Sequence, residues 1–166
     1  MTEVFLGIGS NTDRQYHIAL ALDWLGDKFP QPRFSSVYES AAIGFEGRPF
    51  YNLVAAINTE LSVGALAAQL KALEFAHGRK LNAPRFSPRN IDLDILTYGE
   101  LTGEVDGVLL PRGEILYNAF VLRPLAEIAP DRLHPALKVS YRELWSDFDH
   151  ASQQLVPIDF PGTPTR

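Results

Sequence analysis

Cysteine is absent from the 166-residue chain. That absence excludes a disulfide-stapled scaffold, a thiolate metal centre and a cysteine nucleophile together. Positive charge is in deficit: 15 Lys and Arg stand against 20 Asp and Glu, a formal charge of -5. An acidic whole argues against general binding to nucleic acid or to an anionic membrane surface, while leaving room for a local basic site for a small phosphate ligand. No apolar run approaches the length of a membrane span. The opening Met1-Thr2-Glu3 carries neither a basic n-region nor an apolar h-region. The expectation is a cytoplasmic protein with no membrane and no nucleic-acid partner, and a monomer by default.

The rest of the composition is that of a folded domain. Hydrophobic residues make up 46% and charged residues 21%, which rules out wholesale disorder. The length suits a single domain, 1–166, able to bury roughly two thirds of its unfolded surface.

Val4-Phe5-Leu6-Gly7-Ile8 reads as a buried strand ending in a turn at Gly9-Ser10-Asn11. Residues 14–28 carry Ile18, Leu22 and Leu25 at helical spacing, with Ser10, Asn11 or Thr12 as candidate caps. Residues 34–39 and 50–60 read as the next two strands, joined by a long loop of small residues that suits a binding role. Residues 62–77 form a second helix, with Leu66, Leu70 and Leu73 on one face and Gly78 as its stop. A basic loop, 79–89, precedes a period-two strand at 90–96. A short extra strand is expected at 105–110, a helix interrupted by Pro124 at 119–128, and a short helix at 141–148. The proline-bearing tail, about 150–166, is expected to be irregular. The order strand, helix, strand, strand, helix, strand predicts an α+β fold. Its core is a ferredoxin-like βαββαβ unit, with helices packed on a mixed, mostly antiparallel sheet.

The most informative feature is Asp92-Leu93-Asp94. On a strand, residues two apart share a face at about 6.5 Å along it. Ile91, Leu93 and Ile95 then face the core and both carboxylates face away. Such a pair is most often the solvent side of an amphipathic strand. Two observations weigh against that here. Asp is disfavoured in strands, and carboxylates at this spacing repel by roughly 1–3 kcal/mol. A divalent cation between them removes the repulsion, and hard oxygens without nearby His or Cys suit Mg²⁺, which completes its shell with water and substrate phosphates. Arg79, Lys80, Arg85 and Arg89, just upstream, supply forks and charge for phosphate oxygens.

Other nucleotide motifs fail. Gly7-Ile8-Gly9 lacks the third glycine of a dinucleotide fingerprint, and tight packing explains these glycines equally well. There is no P-loop and no nucleophile elbow, and His17, His77, His134 and His150 show no metal spacing. Phe50, Tyr51 and Phe120 could clamp a flat heteroaromatic ring, with Asn52 to read its polar edge.

The run Arg85-Phe86-Ser87-Pro88-Arg89-Asn90-Ile91-Asp92-Leu93-Asp94-Ile95-Leu96 resembles the signature of the 6-hydroxymethyl-7,8-dihydropterin pyrophosphokinase family of folate biosynthesis. The resemblance extends to Gly7 through Asn11, Pro49-Phe50-Tyr51-Asn52, Glu74 through Arg79, and Phe120 through Pro130. It implies a ferredoxin-like core and Mg²⁺-dependent transfer of pyrophosphate from ATP to a pterin alcohol, with release of AMP. By resemblance, Asp92 and Asp94 hold two Mg²⁺ ions and, with Arg79 and Arg89, form the catalytic set. Glu74, Arg79, Arg85, Phe86, Arg89, Ile95 and Arg112 fall on the ATP side. Ser40, Ala41, Ala42, Ile43, Gly44, Phe50, Asn52 and Phe120 fall on the pterin side.

Departures from the family pattern gather on the ATP side: Ser87 for a glycine, Arg112 for a histidine, Asn118 for a basic residue and Leu109 for a threonine. Ala41 and Ala42 stand where prolines are usual. They keep open a second reading, a pterin-binding paralogue with weak nucleotide use acting as a binding or regulatory module. A ferredoxin-like interaction domain with incidental charged patches is the third reading.

Overall fold

The computed structural model describes residues 1–40, 48–78 and 90–164. Its core runs β1 (Thr2–Ser10), α1 (Arg14–Lys28), β2 (Arg33–Phe34), β3 (Val37–Ser40), β4 (Phe50–Thr59), α2 (Val63–Ala76) and β5 (Asp92–Tyr98). The main sheet has the order β5-β1-β4-β3-β8, where β8 is Leu155–Ile158, and β2 also pairs with β4. Every pairing among the described residues is antiparallel. This is the α+β, ferredoxin-like arrangement expected from the element order.

The central strand β1 reads as a continuous apolar run because both of its faces are covered. Val4, Leu6 and Ile8 join Ile18, Leu22 and Leu25 of α1 and Leu66 and Leu70 of α2 in one core. Phe5 points to a second core, with Val54, Ala56, Leu96, Val121, Leu122, Leu125 and Tyr141. That second layer is built by the 3-10 turn Gly113–Leu116, α3 (Ala119–Ile128) and α4 (Tyr141–Asp147). Burial on two faces replaces the alternation of a half-exposed antiparallel strand.

Several local expectations are corrected. None of Ser10, Asn11 and Thr12 caps α1; Asp13 does so in the left-handed region, at φ 42°, and makes no side-chain cap bond. By contrast, Ser62 does cap α2, its hydroxyl accepting from Ala65 N at 3.1 Å. The strand expected at 34–39 is broken at Ser35-Ser36, where serine side chains take over bonds of the ladder. Ser35 Oγ accepts from Val54 N at 2.9 Å. Ser36 N and Oγ donate to the Glu127 carboxylate at 2.9 and 3.0 Å. The segment 105–110 is not one strand but half of a hairpin, β6 (Gly103–Val105) and β7 (Val108–Leu110), turning at Asp106-Gly107 with φ of 51° and 80°. Helix α3 runs through Pro124 without interruption.

The tail is not irregular throughout. It forms a 3-10 turn, His150–Ser152, and then β8, which pairs with β3. Pro157 is tolerated because β8 is an edge strand, where a missing N–H breaks no ladder bond on the solvent side.

Glu127 joins the broken strand to α3, since it also accepts from the Tyr38 hydroxyl at 2.6 Å. Glu127→Ala removes the acceptor for these donors and should lower unfolding free energy by about 2–3 kcal/mol. A urea titration that leaves the midpoint unmoved would contradict this.

Candidate functional site

The register of three strands builds the site. Asp92 lies opposite Gly9 and Asp94 opposite Gly7 across the β5–β1 pair. On the other side of β1, Asn52 of β4 lies opposite Gly9. These residues share the face that carries α3. Between the carboxylates and the amide β1 contributes no side chain, because it presents glycine at both facing positions, and Leu96, Asn52 and Phe50 lie close against it. The absence of a side chain is required at Gly9: a Cβ there would stand 2.9 Å from Asn52 Oδ1 and 3.6 Å from the Phe50 ring. At Gly7 it would press on Leu96 at 3.3 Å. The result is a floor with acidic groups along one side and an amide on the other.

On the acidic side the electrostatics are unfavourable without a cation. Burial first, and then the charge of Asp92, push the Asp94 carboxyl up from 3.8 to about 8, against the pull of Arg112. The Arg112 guanidinium stands 3.6 Å from Asp94 Oδ1, so it is a neighbouring charge rather than a hydrogen-bond donor to it. It is engaged by Glu114, with Nε and Nη2 each 2.7 Å from Oε1. Burial works against the Arg112 charge, but Asp94 and Glu114 outweigh it and raise its pKa. Asn118 Nδ2 donates to the other Glu114 oxygen at 3.2 Å. Glu114 therefore links Arg112 and Asn118, two of the ATP-side departures noted in the sequence.

Among the described residues, no group of three or more His, Cys, Asp or Glu side chains is placed to hold a metal ion. The protein supplies two carboxylates on one face, with excess negative charge around them. That donor set fits Mg²⁺, which usually binds one or two carboxylates and fills its octahedron with water and phosphate oxygens.

Glu74 is buried beneath the acidic pair rather than open to a ligand. Its Oε2 accepts from Leu93 N at 2.7 Å, fastening the outer edge of β5 between the two aspartates. Ile95 turns its side chain into the α1/α2 core. On the opposite side of the floor, Asn52 Nδ2 donates to Ser40 Oγ at 2.9 Å. This bond fixes the amide plane and leaves Oδ1 toward Gly9. Phe50 lies two residues before Asn52 on the same face, and Phe120 stands in the first turn of α3, which packs over β4. Arg79, Arg85, Phe86, Arg89, Ala41, Ala42, Ile43 and Gly44 lie outside the described residues. The described residues that flank 79–89 meet. Asn90 Nδ2 donates to His77 O, and Gly78, at φ +100°, leaves space for the Asn90 amide.

Gly7 and Gly9 are a period-two pair on a strand, so both face one side, and the close packing that the sequence allows for them is against Leu96, Asn52 and Phe50. One feature escaped the sequence reading. Glu114 gave no signal, because its importance comes from meeting Arg112 and Asn118.

Since the folded protein holds the Asp94 proton more tightly than the unfolded chain, the ligand-free protein loses stability as pH rises from 3.8 toward about 8. Asp94→Asn should raise the melting temperature of the ligand-free protein at the upper end of that window and change little at the lower end. An equal shift at both ends, measured by thermal melts, would contradict the assignment. Gly9→Ala should leave secondary structure intact by circular dichroism and displace the Asn52 amide.

The comparisons with known proteins agree with this geometry. The family model for 7,8-dihydro-6-hydroxymethylpterin-pyrophosphokinase (HPPK) matches residues 5–130. The 2-amino-4-hydroxy-6-hydroxymethyldihydropteridine pyrophosphokinase of Aquifex aeolicus is 34% identical over 145 residues, covering 86% of this chain and 90% of that protein. The protein of the same name from Pseudomonas aeruginosa is 37% identical over 133 residues, 77% of this chain and 81% of that one. That from Haemophilus influenzae is 34% identical over 163 residues, 95% of this chain and 100% of that one. Among solved structures, wild-type Plasmodium falciparum HPPK-DHPS with SDX-DHP superposes with a TM-score of 0.67 at 14% identity. It is matched over 88% of this chain but only 43% of its own length, a likeness of fold. By the family match and the identity of these relatives, the chain belongs to the HPPK family.

Proposed function

We infer that the protein transfers a pyrophosphoryl group from ATP to 6-hydroxymethyl-7,8-dihydropterin and releases AMP, a step of folate biosynthesis. The observation that carries the reading is a carboxylate pair and a hydrogen-bonded amide placed on one face of the sheet, on either side of Gly7 and Gly9 of β1. A planar heterocycle is held on this face with its polar edge at the Asn52 amide, and a polyanion is brought to the acidic side by cations.

In this reading Phe50 and Phe120 clamp the pterin ring and Asn52 reads its edge. Ser40 holds that amide in place and leads into the 41–44 segment, which completes the pterin side. Asp92 and Asp94 are the protein ligands of two Mg²⁺ ions, which when bound offset the charge of the triphosphate. Arg79, Arg85 and Arg89 grip phosphate oxygens, Phe86 covers the nucleotide, and Arg112 lends a further positive charge. Glu74 and Ile95 serve from behind, by holding β5 in place. The substrate hydroxyl oxygen attacks the β-phosphorus, the bond from that phosphorus to the oxygen of the α-phosphate breaks, and AMP leaves with the electron pair. The hydroxyl proton is released to solvent. Holding both reactants in line and stabilising the developing charge supply the acceleration.

All the residues of this scheme come from one chain, so a monomer suffices. No helix among the described residues is long and apolar enough to cross a membrane. Both soluble substrates point to the cytoplasm as the place of work.

Incubation with ATP, Mg²⁺ and the pterin alcohol should yield AMP and the pterin pyrophosphate in equal amounts. ADP as the nucleotide product would overturn the reaction type, and no nucleotide product would overturn the reading. Asp92→Asn should lower kcat by roughly 10²-fold or more with the fold retained.

A further inference from the structure

The family match ends at residue 130, and the chain continues through α4 to an arm that returns to the sheet. That return places Gln153 against the start of α3. Its side-chain oxygen accepts from Ala119 N at 2.9 Å, one of the backbone donors left over at a helix start. Its Nε2 donates to Tyr117 O at 2.8 Å, on the other side of the junction. One amide thus spans the step from the 3-10 turn into α3. Asn118, the residue at the cap position, makes no side-chain cap bond, so the arm does what a local cap would do.

The next residue along α3 is Phe120. One turn further, Arg123 Nη1 donates to Leu155 O at 3.0 Å, so the arm holds α3 at two points on either side of the ring. Across the sheet, Leu155 is paired with Ser40, the partner of the Asn52 amide. A single short segment therefore touches both walls of the acceptor side, although it contributes no side chain to the floor.

We propose that the C-terminal arm is a positioning element of the acceptor site, and that Gln153 sets the first turn of α3 so that Phe120 is held over the ring of the pterin. The inference rests on the functional reading above. Gln153 acts through Ala119 and Tyr117 and is a positioning residue, with no contact to the reacting atoms.

The test uses the full chain and Gln153→Ala, with the exposed neighbour Gln154→Ala as control. Pterin affinity is read by quenching of pterin fluorescence, and KM for each substrate and kcat by AMP formation. Gln153→Ala should weaken pterin binding and raise the pterin KM about five- to tenfold, as loss of this order of hydrogen bonding implies. The ATP KM and kcat at saturation should stay within about twofold of wild type. In the ligand-free protein, amide exchange at residues 119–121 should accelerate in this variant alone. Gln153→Glu keeps the acceptor for Ala119 N but loses the donor to Tyr117 O, and should fall between wild type and the alanine variant. Equal loss of pterin and ATP affinity would mean general loosening and overturn the proposal. So would a Gln153→Ala protein that binds pterin like wild type. A wild-type protein that binds no pterin would overturn the functional reading and this inference with it.

Discussion

Two like charges held side by side, half withdrawn from water, are the constraint around which this protein is arranged. Asp92 and Asp94 share one face of β5, and the Asp94 side chain is only 27% exposed. Burial and the neighbouring Asp92 charge make the Asp94 carboxyl resist ionisation. A fold that retains it must pin the strand from behind, and the buried Glu74 does so through Leu93 N. The same strand stands at one end of the sheet order and is held along its inner edge by its long pairing with β1. The repulsion of the charges is thus resisted by a strand held on both edges, by β1 on one and by Glu74 on the other.

The opposite wall follows a different logic. There the polar group is neutral, buried and already satisfied on its donor side by Ser40. What it needs is space, and β1 provides space by having glycine where its neighbours carry functional side chains. Acidic and neutral walls are set by the register of three adjacent strands. The distance between them depends on sheet spacing, about 4.8 Å per strand, rather than on loops. The C-terminal segment then adds β8 beside β3 at the edge of this base.

The ATP side shows how departures from a family pattern can be mutually adjusted. Arg112 brings a fixed charge close to Asp94, but Glu114 holds that charge back. Asn118 is neutral and shares Glu114. A guanidinium cannot give up a proton as an imidazole can, so its contribution here is charge and hydrogen bonding alone. An arginine paired to a glutamate presents less net charge to a polyphosphate than a free one. The balance is shared by three residues and is invisible at any one of them.

Much of this was legible in the sequence, for local reasons. Hydrophobic periodicity marked α1, α2 and the outward face of the Asp pair, Gly78 marked the end of α2, and element order implied the sheet. The failures share a cause. The break at Ser35-Ser36 depends on Glu127, 91 residues away. The tail became a strand because β3 offered an edge that tolerates Pro157. Helix α3 took its N-terminal partner from Gln153, 34 residues on, instead of from its own cap position. By itself the sequence determined the chemistry available: which groups are acidic, planar, small or basic, and on which face of their own element they stand. Only the tertiary structure decided which of those groups meet. Hydrogen bonds and charge contacts act over a few ångströms, and sequence separation says little about which distant groups come that close.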